Sequence, residues 1–307
     1  MSMIEDIRHL GWQNIVDHSV EISCKRYRNL GWYENMRFIS PFRYPGGKSR
    51  QLPEIIRDLL NLNGISKSYL DPFVGGGCVA LEAAYKNPMA RIHLNDKDPR
   101  IAAFWKVVAS DEVYELIDMM DVEPTTEMFY EIQSKKYTKD IDLAFQAIFL
   151  NRTAFSGILS AGPMGGRHQD GKYKINSKYN FKVLRERILA CHLLLEGRTI
   201  VTCKDFRDVL AAYGPHTPMY LDPPYFLKGT NELYSESMSY EDHCELAAML
   251  KYRDNWIMSY DDCDLIRSLY PPEYVSKRLV SYPRKNNGDK TYELNIRKWQ
   301  SGVTILN

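Results

Sequence analysis

No two of the six cysteines (Cys24, Cys78, Cys191, Cys203, Cys244, Cys263) form a C-x-x-C pair. That removes the spacing of a zinc site or a disulfide framework, and the chain reads as a protein of a reducing compartment. An uninterrupted apolar run near the roughly 20 residues of a membrane span is also missing. Met1 to Leu10 carries Glu5, Asp6 and Arg8 and no apolar stretch, so no signal peptide is expected. A bias of charge is lacking too: 40 Lys and Arg stand against 39 Asp and Glu, a formal net charge of +1. What is present is globular composition, 44% hydrophobic and 12% aromatic, which excludes a disordered chain. The 307 residues allow one large domain, or one core with an inserted lobe. The expectation is a soluble, cytoplasmic protein with no membrane contact.

The balanced total hides an uneven distribution. Residues 25–50 hold seven Lys/Arg against one acid, 151–190 eight against two, and 277–298 seven against two. These windows take 22 of the 40 basic side chains and 5 of the 39 acidic ones, leaving the rest of the chain acidic. A polyanionic partner and a set of ordinary solvated faces both fit this pattern, so charge alone does not choose between them.

Periodicity divides the chain. Residues 1–37 form an N-terminal extension with an echo, Leu10-Gly11-Trp12 and Leu30-Gly31-Trp32, and two copies do not make a repeat array. Leu52, Ile55, Ile56, Leu59 and Leu60 line one helical face. Strands are expected at Ser68–Leu70, Arg91–Leu94, Thr199–Thr202, Met219–Leu221, Trp256–Ser259 and around Arg278–Ser281, with a terminal one from Gly302 to Leu306. Between 111 and 190 the strand rhythm stops. Two helical stripes, Ile141-Phe145-Ile148-Phe149 and Phe181-Leu184-Ile188-Cys191-Leu195, flank a glycine-rich basic stretch from Ser156 to Asn180. Strands alternating with helices predict a mostly parallel α/β sheet, Rossmann-like, with helices on both faces. The expected organisation is a core of 38–110 and 191–307 interrupted by a helical insert, 111–190.

Three motifs carry chemistry. Gly75-x-Gly77-x-x-Ala80 follows a strand, where glycines allow a tight turn and close approach of a ligand, and Asp96 offers a carboxylate to ribose hydroxyls. Asp71-Pro72-Phe73 immediately before the glycines argues against a nicotinamide dinucleotide, since a carboxylate there repels a pyrophosphate and suits an ammonium group. Asp222-Pro223-Pro224-Tyr225 follows the apolar strand Met219-Tyr220-Leu221. Two prolines stiffen this loop and leave its carbonyls as acceptors. A carboxylate, a carbonyl and an aromatic ring at a strand's carboxyl end suit an exocyclic amine on a flat base. Tyr44-Pro45-Gly46-Gly47-Lys48 leads into a helix, and glycines and a lysine at a helix start suit an anion. Each motif alone also reads as an ordinary turn.

Taken in order, Y-P-G-G-K at 44–48, D-P-F-V-G-G-G at 71–77, N-R-T-A-F-S-G at 151–157, C-K-D-F at 203–206 and D-P-P-Y at 222–225 resemble the DNA adenine methylase (Dam-type) family. The resemblance covers roughly residues 40 to 300, with the family's alpha motif order and a target-recognition insert between the cofactor and catalytic motifs. It implies a class I methyltransferase fold and a site-specific, adenine-specific DNA methyltransferase. Such an enzyme moves a methyl group from S-adenosyl-L-methionine to N6 of a flipped-out adenine in double-stranded DNA. In restriction–modification it would have a separately encoded restriction endonuclease as partner, and its source would be bacterial or phage. By the same resemblance Gly46, Gly47 and Lys48 meet the methionine carboxylate, Asp71 its ammonium, Asp96 the ribose and Asp205 the cofactor's adenine amine. Tyr44, Pro72, Phe73, Gly75, Gly77, Phe206 and Asp222 complete the cofactor-binding set. Asp222, Pro223, Pro224 and Tyr225 hold the target adenine, with its ring stacked on Tyr225.

Arg152, Ser156, Arg167, Lys172, Lys174 and Lys178 are the DNA-contact candidates; Tyr173 and Tyr179 are read as loop anchors before duplex wedges. Tyr44-Pro45 stands where the family often has Trp-Ala, and 156–180 does not match the G-A-T-C-reading members, so base contacts are not transferred. Other readings remain open on sequence: a methyltransferase acting on RNA adenine, cytosine N4 or protein glutamine, or a DNA-binding protein that keeps the fold without catalysis.

Overall fold

The computed structural model describes residues 40–43, 47–48, 51–226, 238–280 and 291–299. The extension at 1–37, with its Leu-Gly-Trp echo, and the strand expected from Gly302 lie outside the described residues.

The helix expected from the first apolar stripe is α1 (Leu52–Leu59), opened by Pro53, with Leu52, Ile55, Ile56 and Leu59 buried. It leads to β1 (Ser68–Asp71), α2 (Cys78–Lys86), β2 (Arg91–Asn95) and α3 (Pro99–Val108). At the start of α3 the Asp98 carboxylate caps the Arg100 N–H and Pro99 takes the first position, where no N–H is needed. The segment without strands folds as α4 (Val113–Met119), α5 (Thr126–Ser134), α6 (Asp140–Thr153) and α7 (Phe181–Leu195). From Ala144 to Thr153 every residue of α6 is buried, because the helix packs against α3. Asn180 caps α7, which lies against α2 and α3 and runs on towards the sheet. Then follow β3 (Thr199–Thr202), α8 (Phe206–Ala212), β4 (Met219–Leu221), α9 (Tyr240–Lys251), β5 (Trp256–Asp261), α10 (Asp264–Leu269), β6 (Val275–Val280) and β7 (Thr291–Lys298).

These strands make one seven-stranded sheet in the order β3-β2-β1-β4-β5-β7-β6. The first five are parallel; β7 runs antiparallel to both β5 and β6. The α/β, Rossmann-like expectation holds, with an antiparallel end to a parallel sheet. β7 is a strand that sequence periodicity did not announce. Glu293 and Asn295 interrupt its apolar residues and make it resemble a solvated basic segment. Both are buried, because β7 lies between two strands. Asn295 Nδ2 and Arg297 Nη1 both donate to Asp58 Oδ2 on α1, at 3.0 and 2.8 Å, so these two donors find their acceptor inside the structure.

Candidate active site

In an open parallel sheet, ligands bind beyond the carboxyl ends of the strands, where the strand order reverses. Here the reversal lies between β1 and β4. Asp71 ends β1 and Asp222 follows β4, so the two carboxylates flank that point. A cavity of 330 Å³ opens there, lined by Lys48, Asp71, the Gly75–Gly77 turn, Asp96, Asp205 and Asp222, among others. Gly47, Pro72, Phe73, Phe206 and Pro224 line it as well. The structure thus brings most of the expected set to one place. Tyr44 and Gly46 lie outside the described residues.

The glycine turn is fixed from both sides. Gly75 N–H donates to Asp96 Oδ2 at 2.8 Å, and Trp105 Nε1 donates to the Gly75 carbonyl at 2.9 Å. Gly77 has φ of +69°, and a Cβ there would stand 2.4 Å from the Trp105 ring. Asn95, which sequence reasoning missed, joins three strand ends. Its amide donates to the Pro72 and Lys204 carbonyls, and its oxygen accepts from Thr202 Oγ1 and Lys204 N–H. A polar residue closing an apolar strand one position before Asp96 was the available signal.

Asp71 is buried, accepting from Tyr69 OH at 3.0 Å and Phe73 N–H at 3.2 Å. Burial pushes its pKa up to about 8 against those hydrogen bonds, and the nearby Asp222 and Asp96 add to the rise. At the other end of the cavity Asp205 caps α8 and accepts from the Arg207 backbone and guanidinium, both at 3.0 Å. Burial opposes its charge, but Arg207 and Lys97 more than offset that and hold its pKa below the usual carboxylate range. Arg207 stacks on Phe206 and also grips Asp242 and Glu245 of α9. Asp242 lines the cavity as well.

Two residues of the expected set sit deeper than the rest. Lys48 is only 2% exposed, and its ammonium is committed to the Asp222 loop. Its Nζ lies 3.0 Å from Asp222 Oδ1 and 3.7 Å from Glu293 Oε2, and donates to Tyr225 OH at 2.7 Å. In this structure that ammonium faces the Asp222 loop. Along Asp222-Pro223-Pro224-Tyr225 burial alternates: Asp222 and Pro224 line the cavity, whereas the Pro223 and Tyr225 side chains are buried. The Tyr225 ring is 2% exposed, beneath Lys48 and 6.0 Å from the Tyr260 ring. It supports the loop from below, and its face is not presented for a base to stack on.

The basic segment also sorts itself. Arg152 is buried on α6, where its guanidinium donates to the Pro41 carbonyl; burial, with Arg187 and Arg43, lowers its pKa to about 9. It is a structural residue, unlike the phosphate contact expected. Ser156 (φ +56°) and Gly157 (φ +78°) form a tight turn, half-buried and buried. Neighbouring Asn151 locks that turn to residue 43, exchanging hydrogen bonds with the Arg43 backbone at 2.7 and 3.0 Å and donating to the Gly157 carbonyl at 2.9 Å. Arg167, Lys172, Lys174 and Lys178 are exposed. Tyr179 is an anchor, donating to the Met120 carbonyl at 2.9 Å. Tyr173 is 55% exposed, with the Lys172 and Lys178 ammonium groups over its ring, so the anchor reading fails for it.

Residues 44–281 match the D12 class N6 adenine-specific DNA methyltransferases. The chain belongs to that family. Among the relatives of this adenine methyltransferase is the type II methyltransferase M.MjaIII of Methanocaldococcus jannaschii, 25% identical over 85% of this chain and 99% of the relative. M.CviBI, a type II methyltransferase of Paramecium bursaria Chlorella virus NC1A, is 26% identical over 74% of the chain and 85% of its own length. The DNA N-6-adenine-methyltransferase of Escherichia phage P1 is 29% identical over 61% of the chain, which corresponds to 24% of that longer protein. Among the described residues of this methyltransferase, no helix is long and apolar enough to cross a membrane.

Proposed function

We propose that this methyltransferase uses S-adenosyl-L-methionine to methylate N6 of an adenine extruded from double-stranded DNA. The observation that carries the reading is the partly exposed Asp222 carboxylate at the strand-order reversal, across the cavity from buried Asp71. The donor's chemistry fits the residues present. Six carboxyl groups line the cavity against four basic side chains, an acidic balance for a ligand bearing sulfonium and ammonium charges. The Gly75–Gly77 turn, held in place by Asp96 and Trp105, lines that space with glycine backbone. When bound, S-adenosyl-L-methionine supplies a methyl group already activated on sulfur.

The adenine amine is a weak nucleophile because its lone pair is delocalised into the ring. Asp222 and the Pro223 carbonyl accept its two N–H groups and favour the pyramidal nitrogen that forms during attack, an interaction stronger in the transition state than before it. The N–C bond forms as the C–S bond breaks, its electron pair remaining on sulfur. Asp222 takes the proton that nitrogen sheds and returns it to solvent. A base inside a duplex cannot reach this geometry, so the adenine leaves the stack. Asp71 holds the donor's ammonium group and Asp96 its ribose, while Asp205 and Phe206 frame its adenine. Residues 111–190 serve as the recognition insert, with Arg167, Lys172, Lys174 and Lys178 on DNA phosphates. The two relatives named type II methyltransferases support a modification role beside a separate restriction endonuclease.

The test is nucleoside mass spectrometry on DNA, RNA and protein incubated with enzyme and donor. N6-methyladenine in DNA is expected; N4-methylcytosine, or label confined to RNA or protein, would contradict the reading.

A further inference from the structure

We propose that Glu293 is a positioning residue for methyl transfer: it shares the charge of Lys48 with Asp222 and so keeps the Asp222 carboxylate oriented and available to the target amine. The inference rests on the role assigned to Asp222. Glu293 lies on β7, beyond the residues 44–281 that match the family, in the strand that its polar residues concealed.

Lys48 and Glu293 are 2% and 1% exposed, so their interaction runs through low-dielectric protein. Burial favours a neutral amine at Lys48. Asp222 and then Glu293 overcome that and raise its pKa above the usual value, so the group is an ammonium. One ammonium facing one carboxylate would form a closed, neutral pair, with Asp222 spending its acceptor capacity on Lys48. A second carboxylate draws the ammonium inward: Glu293 is sealed in, whereas the Asp222 side chain is 26% exposed at the cavity wall and keeps acceptor capacity for the attacking nitrogen. Distances agree with a shared charge: 3.0 Å from Nζ to Asp222 and 3.7 Å to Glu293.

Cross-strand pairing provides an obvious competitor for Glu293, since Arg278 on β6 stands directly opposite it. Arg278, however, sends its Nε to Glu54 Oε2 at 3.0 Å, on α1. Glu293 Oε2 lies 3.7 Å from Lys48 Nζ, an ion-pair contact that reaches the catalytic loop through that lysine. Tyr225 OH, 2.7 Å from the same Nζ, completes a three-sided seat that stops the lysine from following Asp222 towards the cavity.

The experiment uses the full chain with Glu293→Gln, Glu293→Asp and Asp222→Asn. Glu293→Gln keeps shape and removes charge, so Lys48 closes on Asp222. Single-turnover methylation is expected to slow by on the order of 10-fold or more, with donor and duplex dissociation constants and the melting temperature near wild type. Glu293→Asp should recover most of the rate. A Glu293→Gln rate within about twofold of wild type, or a loss matched by weaker binding and a lower melting temperature, overturns the proposal. If Glu293→Gln does not fold, Glu293→Ala carries the test: a rate loss of about 10-fold or more with donor and duplex binding intact is expected, and a rate within about twofold of wild type overturns it. Asp222→Asn separates the two ideas. Full activity in it strikes the underlying role of Asp222, whereas an inactive Asp222→Asn beside an unaffected Glu293→Gln strikes only Glu293.

Discussion

Asp71 shows how a binding residue can weigh against the fold that holds it. Burial raises its pKa to about 8, so the folded protein favours the protonated acid. A carboxyl raised in this way supports folding fully below its ordinary range, and that support drains away as pH climbs towards 8. Asp71→Asn keeps an acceptor for Tyr69 OH and removes the ionisation. Urea denaturation should therefore find the variant gaining on wild type as pH rises from 5 to 8. Calorimetry should find its donor affinity about 10- to 100-fold weaker, the loss of a charge-assisted contact. A gap in stability that does not widen with pH would contradict the assignment. At this scale the sequence was legible where a side chain's own chemistry announces its use, and Asp71, Asp96, Asp205 and Asp222 all reach one cavity. It was not legible for Lys48, Tyr225 and Arg152. Their partners, Glu293, Tyr260 and the Pro41 carbonyl, are at least 35 residues away in the chain, and no local pattern announces them.

At the scale of elements, the turn after β1 is the one that tolerates least. Gly77 holds φ of +69°, and the atom that any other residue would add meets Trp105 at 2.4 Å. The same indole donates to the Gly75 carbonyl, so displacing it disturbs the whole turn. Gly77→Ala should cost about 2 kcal/mol or more in chemical denaturation, combining left-handed strain with a steric clash, and should weaken donor binding with it. Wild-type stability would show that the turn relaxes freely. Helices and parallel strands were legible because their apolar spacing is set by burial on one or two faces; α1, α6, α7, β3 and β4 stand where the pattern placed them. β7 was not. Its buried Glu293 and Asn295 answer to Lys48 and Asp58, and a strand whose polar residues are paired inside reads as a surface strand until those partners are known.

For the whole molecule, the net charge of +1 says little about DNA, since the exposed cations of one segment decide the contact. Arg152 is buried, and Lys174 is tied to the Gln169 carbonyl, which leaves Arg167, Lys172 and Lys178 as the more available cations of the loop. Replacing Lys172 and Lys178 with glutamine should weaken binding to all duplex sequences alike and lower the slope of log affinity against log salt by about 2. An unchanged slope would take this loop out of the DNA footprint. Loop 156–180 was the least legible region: its glycines and lysines fix no period, and its base is set by a hydrogen-bonding asparagine, Asn151, acting across more than a hundred residues.

The central claim is that Asp222 acts on the target amine during transfer and is not needed to hold the donor. Single-turnover methylation of duplex DNA by Asp222→Asn, with donor binding measured by calorimetry on the same preparation, tests it most directly. The account predicts transfer reduced by at least about 100-fold with donor affinity within a few-fold of wild type. Transfer near the wild-type rate, or a loss of donor binding large enough to explain the loss of transfer, would contradict it.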